Sequence, residues 1–179
     1  MTVAAVVSVA NAVKIWTRTD FIQKREEKMD NRKEVVLCDL DGTLCNIDHR
    51  LHFIQGENKD YDSFYYGCGQ DKVDIGVRRW LIRLYPHYRI FIVSGRRWTC
   101  LFATIDWLAN NYIEVDHIFM PRGVHDYRPD TEIKKGILEE IIDSGYKIAF
   151  AIDDRPSVVK MWRANGVKVY PVNQHRWGL

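Results

Sequence analysis

The sequence predicts an α/β fold: a doubly wound parallel sheet of about five strands, with helices on both faces. Three observations predict it. From residue 34 onward, short apolar runs alternate with amphipathic helical patterns. The runs are apolar on both faces, as strands covered on both sides require. Acidic or hydroxyl residues stand where the runs stop, and right-handed crossovers gather those strand ends along one edge.

Glu34–Cys38 (Glu-Val-Val-Leu-Cys) is the first strand, and it ends at Asp39. Residues 45–75 interrupt the alternation. They are irregular and aromatic, with Phe53, Tyr61, Phe64, Tyr65 and Tyr66, and read as a small cap insertion with a short helix near 61–68. Val77, Trp80, Leu81 and Leu84 form a helical stripe, and Arg89–Val93 is a second strand that stops at Ser94-Gly95. Leu101, Phe102, Ile105, Leu108 and Ala109 recur at helical spacing and predict a helix buried along that face. His117–Met120 is a third strand. Ile133, Ile137, Leu138, Ile141 and Ile142 mark a helix capped by Asp130 or Thr131 and ended near Gly145. Lys147–Ile152 is a fourth strand, running into Asp153-Asp154. Pro156 suits the first turn of the next helix, and Val167–Val172 closes the series.

This α/β domain occupies residues 31–179, and residues 1–30 form a separate N-terminal extension. Val6, Val9, Val13 and Trp16 share one helical face there, which predicts an extra helix packed on the domain or on a partner. Lys24-Arg25-Glu26-Glu27-Lys28 reads as a solvated helix end or linker. Met29 is an alternative start, because the domain pattern begins only after it. The extension lacks the basic start of a secretory signal, and no stretch reaches the ~18 apolar residues of a membrane span.

A formal charge of +2 over 179 residues is weak evidence about partners, so attraction for nucleic acid would need a local patch. The four cysteines, Cys38, Cys45, Cys68 and Cys100, form no C-x-x-C pair, and no histidine cluster completes a zinc pattern. They read as reduced thiols of a cytoplasmic protein.

Chemistry concentrates at the strand ends. Asp39-Leu40-Asp41-Gly42-Thr43 sets two carboxylates two residues apart, on one side of an extended backbone, before a glycine that permits a sharp turn. Close carboxylates repel unless a cation lies between them or one is protonated. Magnesium, which takes one or two carboxylates plus water and phosphate, answers that repulsion. Asp-Gly alone would be a turn signal. Asp153-Asp154 ends an apolar strand, where adjacent acids cost desolvation without a cation. Ser94-Gly95-Arg96 offers a hydroxyl, backbone N–H groups and a guanidinium before a helix, a natural phosphate site. Lys134, one position after a core-facing isoleucine, would by itself be a solvated lysine.

Together these segments resemble the haloacid dehalogenase (HAD) superfamily of phosphohydrolases over residues 34–172, with its motifs in order at Asp39–Thr43, Ser94, Lys134 and Asp153-Asp154. Ala151-Ile-Asp-Asp-Arg-Pro-Ser-Val-Val-Lys-Met-Trp-Arg163, Ser94-Gly95-Arg96 and Asp126-Tyr127-Arg128-Pro129-Asp130 resemble more closely the 3′-phosphatase domain of bacteriophage polynucleotide kinase-phosphatases. Those enzymes carry a kinase with a Gly-x-x-x-x-Gly-Lys-[Ser/Thr] loop; no such loop stands here, so kinase activity is expected to be absent or to belong to another chain.

The resemblance implies that Asp39 attacks phosphorus and that Asp41 protonates the leaving oxygen, then takes a proton from the hydrolytic water. It implies magnesium held by the Asp39 carboxylate, the Asp41 backbone carbonyl and the Asp153/Asp154 pair, with Asp154 favoured for direct contact. Ser94 and Lys134 would hold phosphoryl oxygens. Thr43, Gly95, Arg96, Arg128 and Arg155 are candidate substrate contacts. Arg96, Arg97, Arg122, Arg128 and Arg155 all fall near strand ends, where they would grip phosphate or pair with Asp126, Asp130 or Asp116. The aromatic segment 53–66 and Trp98 would be a lid, a base-stacking platform or core.

Three readings of function follow. The first is a 3′-phosphatase of nucleic-acid ends, in a host cytoplasm if the source is a phage. The second is a phosphatase of free nucleoside monophosphates. The third is a non-catalytic nucleic-acid or partner-binding protein, against which the intact motif set argues.

Overall fold

The computed structural model describes residue 32 and residues 34–177. The expected N-terminal helix and the question of Met29 lie outside the described residues. A five-stranded sheet is built from β1 (Glu34–Cys38), β4 (Arg89–Val93), β5 (His117–Phe119), β6 (Lys147–Asp153) and β7 (Val169–Pro171), in the order β5-β4-β1-β6-β7. Every pairing is parallel, with Cys38 opposite Ile92 on one side and Ile152 on the other. The strands lie at their expected positions, the third one residue shorter and the fourth one residue longer than expected, the last trimmed at both ends.

Side-chain alternation along β1 explains the two layers. Val36 and Cys38 point to one face, where they join Ile90, Ile92 and Ile152, covered by Val77 and Leu81 of α3 (Ile75–Leu84) and Trp107 and Leu108 of α4 (Leu101–Asn110). Val35 and Leu37 point the other way. They meet Ile133, Ile137, Leu138 and Ile141 of α5 (Asp130–Asp143) and Val158, Val159 and Trp162 of α6 (Pro156–Ala164). Helices on both faces of a parallel sheet make the fold doubly wound. Pro156 opens α6 at its first position, and Gly145, at φ 82°, follows the end of α5.

The stretch between β1 and α3 leaves and rejoins the domain through a two-stranded antiparallel pair, β2 (Cys45–Asn46) and β3 (Lys72–Val73). It carries α1 (Asp48–Leu51) and α2 (Tyr61–Tyr66), the latter running into a 3-10 turn at Gly67–Gln70, close to the expected 61–68. Asp60 caps α2 by accepting from Ser63 N–H at 2.9 Å.

Three expectations are corrected. The buried face of α4 is Thr104, Trp107 and Leu108, whereas Phe102 and Ile105 are exposed. The helix is turned because its inner face serves polar partners: Thr104 Oγ1 accepts from Arg96, and Trp107 Nε1 donates to Asp71 O at 2.7 Å. Ile142, likewise, is exposed. Neither Asp130 nor Thr131 caps α5. Pro129 stands at the cap, and the Asp130 carboxylate is held by arginines instead. Among the described residues, no helix is long and apolar enough to cross a membrane.

Candidate functional site

The carboxyl ends of β1, β4 and β6 converge as expected at one edge. Asp39 continues the sheet ladder, donating its N–H to Ile152 O at 3.0 Å. The chain then reverses: Thr43 and Cys45 N–H both reach Leu40 O, at 3.1 and 2.8 Å, and Gly42 adopts φ 92°. That φ favours glycine, and a second reason is tighter still. A Cβ at Gly42 would lie 2.1 Å from Asp154 Oδ2. The bare glycine lets the β6 acid press against the β1 turn.

Asp39, Asp153 and Asp154 form one buried acidic cluster, with an oxygen from each within 4.8 Å of the others. Lys134 enters from α5, its Nζ 2.8 Å from Asp39 Oδ1 and 2.7 Å from Asp153 Oδ2. It is 2% exposed, so the bland expectation of a solvated lysine does not hold. Burial would lower the Lys134 pKa, but Asp153 and Asp39 outweigh it, and the ammonium is held well above its usual range. Asp153 has further partners: its Oδ2 accepts from Trp162 Nε1 at 3.2 Å, and its Oδ1 from Arg155 N–H at 3.1 Å. Thr43 Oγ1 lies 3.1 Å from Asp39 Oδ2 and 3.0 Å from Asp154 Oδ1, so its single proton serves one of the two at a time. Thr43 is fully buried and ties the two acids together.

Lys134 thus contacts two of the three carboxylates, Asp39 and Asp153, and the Arg155 guanidinium acts on all three through space. Burial pushes the Asp39 carboxyl well above its usual range. Lys134 pulls it back, and Asp153 and Asp154 add to the rise. A hard divalent cation fits three close carboxylates in charge and in donor type. A second group, Asp41, Cys45 and Asp71, has the same proximity, but its acids are already paired. Arg50 and Arg96 balance its two acids.

That second network was largely invisible in the sequence. Asp41 Oδ1 accepts from Arg50 Nη2 at 2.6 Å and from Arg96 Nη2 at 2.5 Å; Asp71 Oδ2 accepts from the same two nitrogens at 2.7 and 2.6 Å. Both guanidinium groups are fully buried, as is the Asp71 side chain. Burial would raise the Asp41 pKa, but Arg96 and Arg50 prevail and hold it at about 2. Breaking a buried ion pair typically costs ~3–5 kcal/mol, because the remaining charge is stranded. Arg96, expected to touch substrate, is therefore engaged with Asp41, Asp71 and Thr104 and does not line the cleft. Arg50 and Asp71 were missed altogether, since each lies on a short irregular element with no periodicity to mark it.

A cleft of ≈ 630 Å³ opens above, lined by Asp39, Asp41 and Lys134, and by Gly95, Arg128 and Arg155 among the expected contacts. Ser94 lies just beneath, 1% exposed, its Oγ accepting from Arg96 N–H at 3.2 Å. Gly95 is needed for close approach, since a Cβ there would stand 2.6 Å from Asp130 Oδ1. Arg122 and Arg155 pair with Asp130 and Arg128 with Asp126, as the sequence allowed, whereas Arg97 pairs with Asp62, outside the expected acids. Asp116 takes Arg32 instead. Trp98 is exposed and does not line the cleft. All four cysteines are free and buried.

Comparison with known proteins points the same way. Residues 33–177 match the family model described as the polynucleotide kinase PNKP phosphatase domain. A protein of Autographa californica nuclear polyhedrosis virus, described as a bifunctional polynucleotide kinase/RNA ligase, is 27% identical over 137 residues, covering 75% of this chain and 18% of its own. A chain of the Pnkp1/Rnl/Hen1 complex superposes with a TM-score of 0.68 at 30% identity, over 79% of this chain and 46% of that one. The HAD-hydrolase YfnB from Bacillus subtilis, bound to magnesium, shares the fold at 11% identity, with a TM-score of 0.57 over 80% and 90% of the two chains. The chain thus spans less than half the length of the first two relatives.

The Gly42–Asp154 contact yields a test. Gly42→Ala should displace the Asp154 carboxylate and weaken magnesium binding by about 10–100-fold, read by calorimetric titration of the folded protein. Unchanged affinity would show that the contact does not set the acid's position.

Proposed function

The chain belongs to the family of polynucleotide kinase PNKP phosphatase domains and is a HAD-type phosphatase; from that premise we propose that it removes 3′-phosphates from nucleic-acid ends, with magnesium, through a phosphorylated Asp39. What supports this most is the floor of the cleft, where Asp39 lies between Lys134 and the acids that end β6. Asp39, the Asp41 backbone carbonyl and Asp154 would hold the ion, with Asp153 locked to Lys134 in support. Bound magnesium offsets the charge between an anionic nucleophile and an anionic phosphate.

The protein's own groups then divide the work. Lys134 faces Asp39 Oδ1 and is placed to hold a phosphoryl oxygen beside the nucleophile. Ser94, at the end of β4, serves the same phosphate, as the Gly95 N–H does. Arg128 and Arg155, on the cleft wall, take neighbouring phosphates. Thr43 acts through Asp39 and Asp154 rather than on substrate.

Asp41 sets the proton balance. Arg96 and Arg50 hold it at about 2 against the rise that burial brings, so it starts ionised at neutral pH. The proton therefore comes with the substrate. A phosphomonoester monoanion passes it to Asp41, Asp39 attacks phosphorus, and the departing 3′-oxygen takes that proton as the P–O bond breaks. Water then attacks phosphorus, the P–O bond to Asp39 breaks and phosphate leaves; Asp41 takes the proton released and passes it on to the departing phosphate or solvent, returning to its ionised form. A cytoplasmic setting, the host's if the source is viral, goes with this reading.

Asp39→Asn should lower turnover about 10⁴-fold with the circular dichroism spectrum unchanged; near-normal turnover would sink the nucleophile assignment. A second comparison sets a 3′-phosphorylated oligonucleotide beside a 5′-phosphorylated one and free nucleoside monophosphates. The 3′-phosphorylated oligonucleotide should be hydrolysed fastest, and hydrolysis of free nucleotides alone would replace polynucleotide ends with mononucleotides as substrate. Finally, kcat/KM should fall as pH rises past about 6, where the substrate loses its second proton. A level profile from about pH 5 to about pH 8 would rule out delivery of the proton by the substrate.

A further inference from the structure

We propose that Tyr127 and Tyr61 form a stacking subsite for the nucleobase of the nucleoside that bears the scissile phosphate. The proposal takes its chemistry from the phosphatase reading, and its geometry stands apart from the acids on the cleft floor. Both tyrosines line the same cleft as Asp39 and Lys134. They reach it from different elements, Tyr61 from the start of α2 and Tyr127 from the loop before α5. Their ring centroids lie 6.5 Å apart at 60°, and Tyr61 stacks on Tyr65 at 6.5 Å and 25°. The rings therefore form a continuous aromatic edge across the cleft.

Tyr127 is 71% exposed, so it has no core to fill. Its backbone is nonetheless fixed. Arg122 Nη1 donates to the carbonyls on either side, Asp126 O at 2.9 Å and Arg128 O at 2.7 Å, and Arg122 Nε donates to Gly95 O at 2.5 Å. A buried arginine thus clamps the loop to the end of β4 from beneath, and the ring stands out above it. Among the described residues, neither the Tyr61 nor the Tyr127 hydroxyl has a hydrogen-bond partner. What is held in place is a flat π face. Cations stand around it: Arg128, Arg97 and Lys59 line the same cleft.

A nucleobase is the occupant that uses both features. Its face stacks on an aromatic ring whatever the base, while the attached phosphates meet the cations. A simple sugar phosphate would use only the charges, and an apolar ligand only the rings. The subsite therefore adds affinity for base-bearing substrates and little sequence preference.

The test uses the full chain and two substrates, thymidine 3′-monophosphate and its abasic counterpart, 2-deoxyribose 3-phosphate. Tyr127→Ala should raise KM for the first about tenfold with kcat nearly constant, as loss of uniform binding requires. The abasic substrate should show no such rise, and Tyr127→Trp should restore the wild-type value. Equal loss on both substrates would mean that Tyr127 only positions the wall of the cleft and would overturn the proposal, as would no loss on either. The contrast is also read without turnover, by anisotropy of a labelled, 3′-phosphorylated thymidine tetramer and its abasic equivalent. If the phosphatase reading is wrong, wild-type protein hydrolyses neither substrate, while the anisotropy contrast still decides the subsite.

Discussion

Repulsion among buried carboxylates is the constraint on which the rest of this structure turns. The parallel sheet brings Asp39, Asp153 and Asp154 to one point, and the insertion brings Asp71 to Asp41 nearby. Like charges this close destabilise a fold unless something opposes them. The two groups are answered differently. Around Asp41 and Asp71, two buried guanidinium groups neutralise two acids in a closed network. Around Asp39, one lysine contacts two of three close acids. The first arrangement is held by paired charges. The second keeps three carboxylates within reach of one another, a donor set that suits a divalent cation.

Local sequence determined what the eye could find. The strands were legible because each is a short apolar run; β1 was legible to its last residue, and β6 runs one residue further than expected, into Asp153. Gly42 was read as a turn residue, which it is, but its close approach to Asp154 joins positions far apart in the chain. Arg50 and Asp71 left no trace for the same reason. Nothing near either residue announces burial, and only the folded insertion brings them to Arg96. The rotation of α4 has a related cause. Apolar periodicity favoured the face with Phe102 and Ile105, but the helix turns Thr104 and Trp107 inward to serve groups on other elements. Periodicity reports hydrophobic demand, and here hydrogen-bond demand prevailed.

Asp130 shows how one residue can be expected for one reason and used for another. As a presumptive helix cap it would have satisfied N–H groups of α5. In the structure it sits at the first helical position and accepts from Arg122 and Arg155. Gly95 makes room for it. The beginning of α5 is thereby joined to the ends of β4 and β6, and Lys134 follows one turn later. The lysine's position is thus set by an acid that never touches it.

The buried Arg96 also bears on how such proteins can be rebuilt. Its guanidinium is shared among the β1 turn through Asp41, the insertion through Asp71 and α4 through Thr104. The insertion is therefore not an interchangeable module. Grafting a foreign segment in place of residues 45–73 would delete Asp71 and Arg50 together. Asp41 would be left with a single arginine, and that arginine with a vacant side in the interior. Recombination between relatives is tolerated at this junction only where the incoming segment brings its own acid and arginine, so the two halves of the network must be inherited as a set.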